Sequence, residues 1–116
     1  MYQSAYRDIL EAAPSESRRL EREALLRAAD CLRFAAPKGR GSIEAVEALL
    51  YVRRLWTYFA EQAARPDNPL PAELRAKLIS IGIWILREEE RIRTGESTNF
   101  GAIEDICRTI AHGLNA

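Results

Sequence analysis

The chain has 116 residues, 47% of them apolar and 29% charged, with 17 basic residues balancing 17 acidic ones. That is enough for one domain around one core, and a net charge of zero argues against a protein held to its target by phosphate neutralisation, which brings a clear basic excess. No apolar run approaches the roughly 18 to 20 residues of a membrane helix, and no signal-peptide pattern opens the chain, so a cytoplasmic protein is expected.

The elements follow in chain order. "YQSAYRDILEAAP" sets Tyr2, Tyr6, Ile9 and Leu10 at helical spacing and stops before Pro14, which predicts a short helix or an ordered arm. Ser15 offers an N-cap oxygen and Glu16 a first-turn charge. From there to Ala36, Leu20, Ala24, Ala28, Cys31, Leu32 and Ala35 recur at threes and fours, the mark of an amphipathic helix. "PKGRG" breaks it and Ser42 caps the next, where Ile43, Val46, Leu49, Leu50, Trp56, Phe59 and Ala63 keep the rhythm to about Ala64. "RPDNPLP" is a connector that no helix can absorb. A third long helix is predicted over 72–94, stopped by Gly95, and a last one starts near Asn99 and carries Ile103, Ile106, Cys107 and Ile110 as far as Gly113. Cys31 and Cys107, on apolar stripes of separate helices, read as buried thiols.

Within 72–94, isoleucine fills every odd position from Ile79 to Ile85. That alternation alone suits a half-buried strand. The flanks are rich in helix formers, however, and Leu74, Leu78, Ile81, Ile85 and Ile92 make a continuous helical stripe, with Ile79, Ile83 and Leu86 beside it. A helix apolar on nearly all sides must be enclosed, so this one is expected to be the buried central post of an all-α bundle of four main helices. Gly82, which weakens a helix by about 1 kcal/mol relative to alanine, then calls for a close neighbour such as Trp56. Both Trp56 and Trp84 are expected in the core.

Catalytic chemistry is hard to place. The single histidine, His112, sits in a last helical turn, where it favours the dipole's negative end. No nucleophile elbow, HExxH, CxxC or EF-hand pattern occurs. "KGRGS" lacks the P-loop pattern and reads as a turn. Glu88, Glu89 and Glu90 are consecutive, so they point around a helix and are expected to form a solvated, paired face. The expectation is a protein that is not an enzyme and uses no cofactor or metal.

Four stretches, "MYQSAYRDIL", "EALLYVRRLW" (47–56), "NPLPAELRAKLISIGIWIL" (68–86) and "STNFGAIEDI" (97–106), together resemble the FlaF family, small regulators of flagellum biosynthesis in alphaproteobacteria. The resemblance spans essentially the whole chain, and its most specific part is the proline-spaced connector with the isoleucine–tryptophan helix. It implies a non-enzymatic role in the production and export of flagellin, alongside the partner regulator FlbT. Direct binding of flagellin, in the manner of an export chaperone, is the mechanism expected, with a client helix laid into an apolar groove.

Such a groove would fall on helix 43–64, where "YVRRLWTYF" concentrates the aromatics and arginines that dominate binding hot spots. Leu50, Tyr51, Arg54, Leu55, Tyr58 and Phe59 are its candidate partner-binding residues, with Tyr2 and Tyr6 joining if the N-terminal arm folds over it. The alternative is an RNA-binding regulator of the flagellin messenger, using Arg18, Arg19, Arg22, Arg33, Lys38 and Arg40 as a basic strip. Interspersed glutamates and the lack of any RNA-binding signature weigh against that. A plain dimerisation module is the third reading.

Overall fold

A computed structural model describes residues 15–114, with side chains over 19–113. Four α-helices account for nearly all of it: α1 (Ser15–Ala35), α2 (Ile43–Ala64), α3 (Ala72–Arg93) and α4 (Phe100–Leu114), with a 3-10 turn at Ala36–Lys38. No strand occurs among the described residues, so the alternating isoleucines lie on a helix and the all-α bundle of four main helices stands. The N-terminal helix or arm lies outside the described residues.

The helices end where their caps place them. Ser42 Oγ accepts the Ala45 N–H at 3.1 Å and opens α2. Asn99 Oδ1 accepts the Ala102 N–H at 3.2 Å and opens α4. At the end of α3, Gly95 takes φ +88°, and the Glu96 and Gly95 N–H groups return to the carbonyls of Arg91 and Ile92. This paired closure satisfies carbonyls that would otherwise be orphaned, and glycine adopts the left-handed conformation without penalty. A cap not anticipated from sequence closes α2: Arg75 of α3 donates to the carbonyls of Ala63 (2.8 Å) and Arg65 (3.0 Å). The proline-rich connector is thus pinned by the helix it leads into.

Two pairs of helices pack most extensively, α1 with α4 and α2 with α3, and a third seam joins α1 to α2; α3 and α4 barely meet. The main core runs across all four: Leu25, Ala28, Ala29 and Leu32 from α1, Ala48, Leu49, Val52 and Trp56 from α2, Ile85 and Ile92 from α3, and Phe100, Ile103, Cys107 and Ala111 from α4. A small second cluster of Ala63, Leu74 and Leu78 fastens the far end of the α2/α3 hairpin. Alanines on the inner faces let backbones approach closely.

The expected contact at Gly82 is present. A Cβ at position 82 would lie 3.3 Å from the Ala60 Cβ and 3.7 Å from Trp56 Cε3, so α3 seats itself on α2 through that gap. Its role as central post is corrected, however. α3 buries one face only, while Ile83 and Trp84 remain 45% and 42% exposed, because α3 rests on α2 and has no helix on its outer side. The helices with neighbours on two sides are α1 and α2. Leu20, Ile43 and Val46, expected on core stripes, are exposed as well, and the buried residues beside them are Leu25, Ala45 and Ala48. Cys107 is buried and Cys31 only partly so.

Glu88 and Glu89 are also corrected: both are buried. Glu88 accepts from Ser97 Oγ at 2.5 Å and from Arg91 Nη1 at 2.8 Å, and Ser97 Oγ accepts in turn the Asn99 N–H. The Ser97 hydroxyl, and then Arg91, hold the Glu88 carboxyl below the usual range against the opposing effect of burial. Burial pushes Glu89 up despite the guanidinium of Arg93, which bonds it at 3.3 Å. Glu88 therefore ties the α3–α4 loop to the end of α3.

Two outcomes are expected. Gly82→Val should destabilise the fold by about 2 kcal/mol, since the added volume meets Ala60 and Trp56 and parts α2 from α3; thermal unfolding measures it. Ser97→Ala should cost about 1–2 kcal/mol at neutral pH, the loss of a hydrogen bond to a charged group. A carboxyl with a depressed folded pKa stabilises above its unfolded value of about 4.3 and loses that contribution as pH falls through the folded value. The Ser97→Ala deficit should therefore shrink on acidification below about pH 4, as urea titrations at several pH values would record.

Candidate partner-binding furrow

Helix α1 presents two adjacent stripes. Leu25, Ala28, Ala29, Leu32 and Ala35 face the core. The next stripe, Leu20, Ala24, Arg27, Cys31 and Phe34, turns to the outside of the α1/α2 seam. The two helices run antiparallel there, so Leu20 lies level with Tyr58, Arg27 with Tyr51 and Phe34 with Glu44. Between them is a furrow with two hollows in line. The near one, about 260 Å³, is lined by Leu20, Glu21, Ala24, Leu55, Tyr58 and Phe59. The far one, about 460 Å³, is lined chiefly by Arg27, Cys31, Phe34, Leu50, Tyr51 and Arg54, with Glu44 and Glu47 at its end.

Six of the eight residues proposed from sequence, Leu50, Tyr51, Arg54, Leu55, Tyr58 and Phe59, thus share one furrow, because positions 51, 54, 55 and 58 repeat at threes and fours on α2. They are not equivalent. Phe59 packs edge-on against the buried Trp56 ring, with centroids 5.3 Å apart, so one side of it belongs to the core. Tyr58 is 50% exposed and leans on Phe59 at 5.8 Å. Tyr51 is partly buried, with the Arg27 guanidinium 5.8 Å from its ring centre; burial raises its phenol pKa and Arg27 opposes the rise. Arg54 stands exposed at the rim. Tyr2 and Tyr6 lie outside the described residues.

The α1 wall was missed. Leu20, Cys31 and Phe34 are furrow residues, with Phe34 61% exposed and the Lys38 ammonium 4.7 Å above its ring. A signal was present: the apolar set on α1 is too wide for one seam, and Leu20, Ala24, Cys31 and Phe34 separate from Leu25, Ala28 and Leu32 once treated as two stripes. Glu21 is half-buried among the near hollow's apolar side chains. Burial raises its pKa.

The remaining sequence candidates disperse. Arg19 pairs with Glu23 at 2.7 Å, Lys38 approaches Glu44, and Arg40 donates to the carbonyl of Arg93, across the loop from Gly95. Of the basic strip, Arg19, Lys38 and Arg40 thus have local partners, and the Arg18 side chain lies outside the described residues. Among the described residues no group of three or more His, Cys, Asp or Glu side chains is placed to hold a metal ion, and no helix is long and apolar enough to cross a membrane.

The surplus apolar surface of this all-α bundle gathers along the α1/α2 seam. The family model of the flagellar protein FlaF matches residues 2–114. The chain belongs to the FlaF family of flagellar proteins. No curated protein and no solved structure matches it significantly.

The unequal burial of the furrow aromatics makes a prediction about stability. Tyr58→Ala should shift the unfolding free energy by no more than about 0.5 kcal/mol, as for an exposed side chain. Phe59→Ala should cost about 2–3 kcal/mol, since it opens a gap against Trp56. Chemical denaturation of the two variants against the parent protein checks the contrast.

Proposed function

We propose that this FlaF-family protein binds flagellin in its furrow and acts, without catalysis, as an export chaperone that also governs how much flagellin is made. The observation that carries the reading is the furrow itself. Its floor holds Tyr51, Leu55, Phe59 and Ala24, its rims hold Leu20, Phe34, Tyr58 and Arg54, and it runs for about 21 Å from Leu20 to Phe34 at 1.5 Å per residue. That length takes four turns of a client helix, with anchors at i, i+3, i+4 and i+7.

The terminal segments of unassembled flagellin are amphipathic and become helical only on packing, so they suit such a surface. Ordering them consumes roughly 2–5 kcal/mol of the interaction, which keeps binding reversible and lets the cargo be passed on. The opposed charges at the far end, Arg27 and Arg54 against Glu44 and Glu47, give the client helix a direction and register as well as an apolar bed. FlbT acts alongside this protein in that scheme, at a surface the furrow does not define.

Fluorescence anisotropy with labelled flagellin terminal segments tests the proposal. Tyr58→Ala should weaken binding about tenfold, a loss of about 1.4 kcal/mol, with unfolding unchanged. Trp84→Ala, on the outer face of α3, should leave binding within twofold. The same titration with the flagellin messenger leader, over a salt series, should show no tight binding. Steeply salt-dependent RNA affinity without flagellin affinity would reverse the assignment.

A further inference from the structure

The face of α3 turned away from α2 is an ordered stripe. At 3.6 residues per turn, Glu73, Ala76, Ser80, Ile83, Trp84 and Arg87 fall within an arc of about 100° centred on Ser80, and all six are exposed. The buried Leu78, Gly82, Ile85 and Glu89 lie on the opposite side. The two halves of the stripe differ. The N-terminal half carries a shallow hollow of about 400 Å³ lined by Glu73, Ala76, Lys77, Ser80 and Ile81. The C-terminal half carries the bulk, Ile83 and Trp84.

Those halves answer each other when the helix is reversed about Ser80. Trp84, four residues after the centre, then falls opposite Ala76, four residues before it. A two-fold axis across the contact keeps each side chain on its own flank of the stripe, and Trp84 shares a flank with Lys77 and Ile81. The indole of one copy is therefore aimed into the hollow of the other. Arg87, seven residues after the centre, falls opposite Glu73, seven before it. Glu73 is held only at 3.8 Å by Lys77, and Arg87 makes no ion pair or hydrogen bond among the described residues. A surface that matches itself after such a reversal is what an isologous contact requires.

From this self-complementarity we infer that two copies of the chain pair through α3, antiparallel about a two-fold axis at Ser80. Each Trp84 fills the other copy's hollow, Ile83 packs on the other copy's Ala76, and Arg87 pairs with the other copy's Glu73. Ala76 and Ser80 are small, so the helices can approach to about 8–10 Å. Tryptophan and arginine are the residue types that dominate such contacts. The stripe is about 21 Å long and one helix, about 10 Å, wide, less than the roughly 800 Å² per partner of a standard interface. The dimer is accordingly concentration-dependent, half-dissociated at roughly 10–100 µM. No residue lining the furrow hollows lies on this face, so the pairing is independent of flagellin binding and leaves both furrows open.

Sedimentation equilibrium on the full chain, with no client present, tests the pairing from roughly 1 to 500 µM. The mass should rise from one chain toward two across that range, and Trp84→Ala should weaken the dimer about tenfold or more. Glu73→Arg and Arg87→Glu should each remain monomeric alone, because like charges then meet twice. An equimolar mixture of those two variants should form a mixed dimer, since every such contact is again arginine to glutamate. Loss of folding cannot produce that rescue.

A single-chain mass at every concentration would overturn the dimer. A dimer that Trp84→Ala leaves intact, or that Tyr58→Ala abolishes, would overturn it equally, because the contact would then lie elsewhere on the bundle.

Discussion

Everything in this bundle is arranged around the Trp56 ring. It is fully buried, faces Gly82 of α3 on one side, and donates its indole N–H to the Cys107 Sγ of α4 at 3.5 Å. A buried indole needs a partner for its N–H and a flat neighbour for its face, and those two demands bring α3 and α4 to α2. Burial raises the pKa of Cys107 in return, which keeps the thiol protonated and its sulfur a weak, neutral acceptor. Helices α3 and α4 scarcely touch each other; Trp56 is what couples them. Enlarging Gly82 or removing the ring disturbs two interfaces together.

The furrow is a consequence of how that core is filled. Inner positions on α1 and α2 are mostly small, Ala28, Ala29, Ala35, Ala45 and Ala48, so the helices sit close and the larger apolar groups fall outside the contact line. Leu20, Phe34 and Tyr58 therefore stand half-exposed along one seam instead of scattering. Isolated exposed apolar side chains are ordinary, whereas several gathered on one seam mark a surface suited to being covered. The outer face of α3, with Ile83 and Trp84, is a smaller patch lacking a second wall.

Boundaries were legible in the sequence because each is set by local chemistry. Ser42, Gly95 and Asn99 satisfy backbone groups within their own turn, so no knowledge of the rest of the chain is needed. Placement was less legible. Ile79 and Ile83 fall on one side of α3 and Ile81 and Ile85 on the opposite side, and periodicity reports how wide an apolar surface is, not which part of it meets a neighbour. Trp84 was misplaced for that reason, and Ile43 and Val46 likewise. Glu88 and Glu89 do pair with Arg91 and Arg93 within their own helix, as expected, but their burial, and the Ser97 hydroxyl on Glu88, come from tertiary folding. The α2 wall of the furrow was readable as a dense aromatic run, whereas the α1 wall hid inside a stripe that merges two faces.

A furrow of this kind has an inherent tension. Apolar area that binds an amphipathic helix also invites a second copy or any sticky segment, at roughly 25 cal/mol per Å² covered. On the proposed reading of the furrow, three features limit that. The hollows are open and interrupted, so no ligand buries itself completely. The charges at the far end, Arg27 and Arg54 against Glu44 and Glu47, penalise helices of the wrong register or polarity. Half-buried Glu21 adds a desolvation cost at the near end for any apolar occupant that brings no cation. In that reading selectivity and reversibility come from the same source: polar groups set into an apolar track, each tolerable only to an occupant that answers it. A surface tuned for maximum affinity would replace Glu21 and Arg27 with aliphatic residues, and would then release its occupant far more slowly.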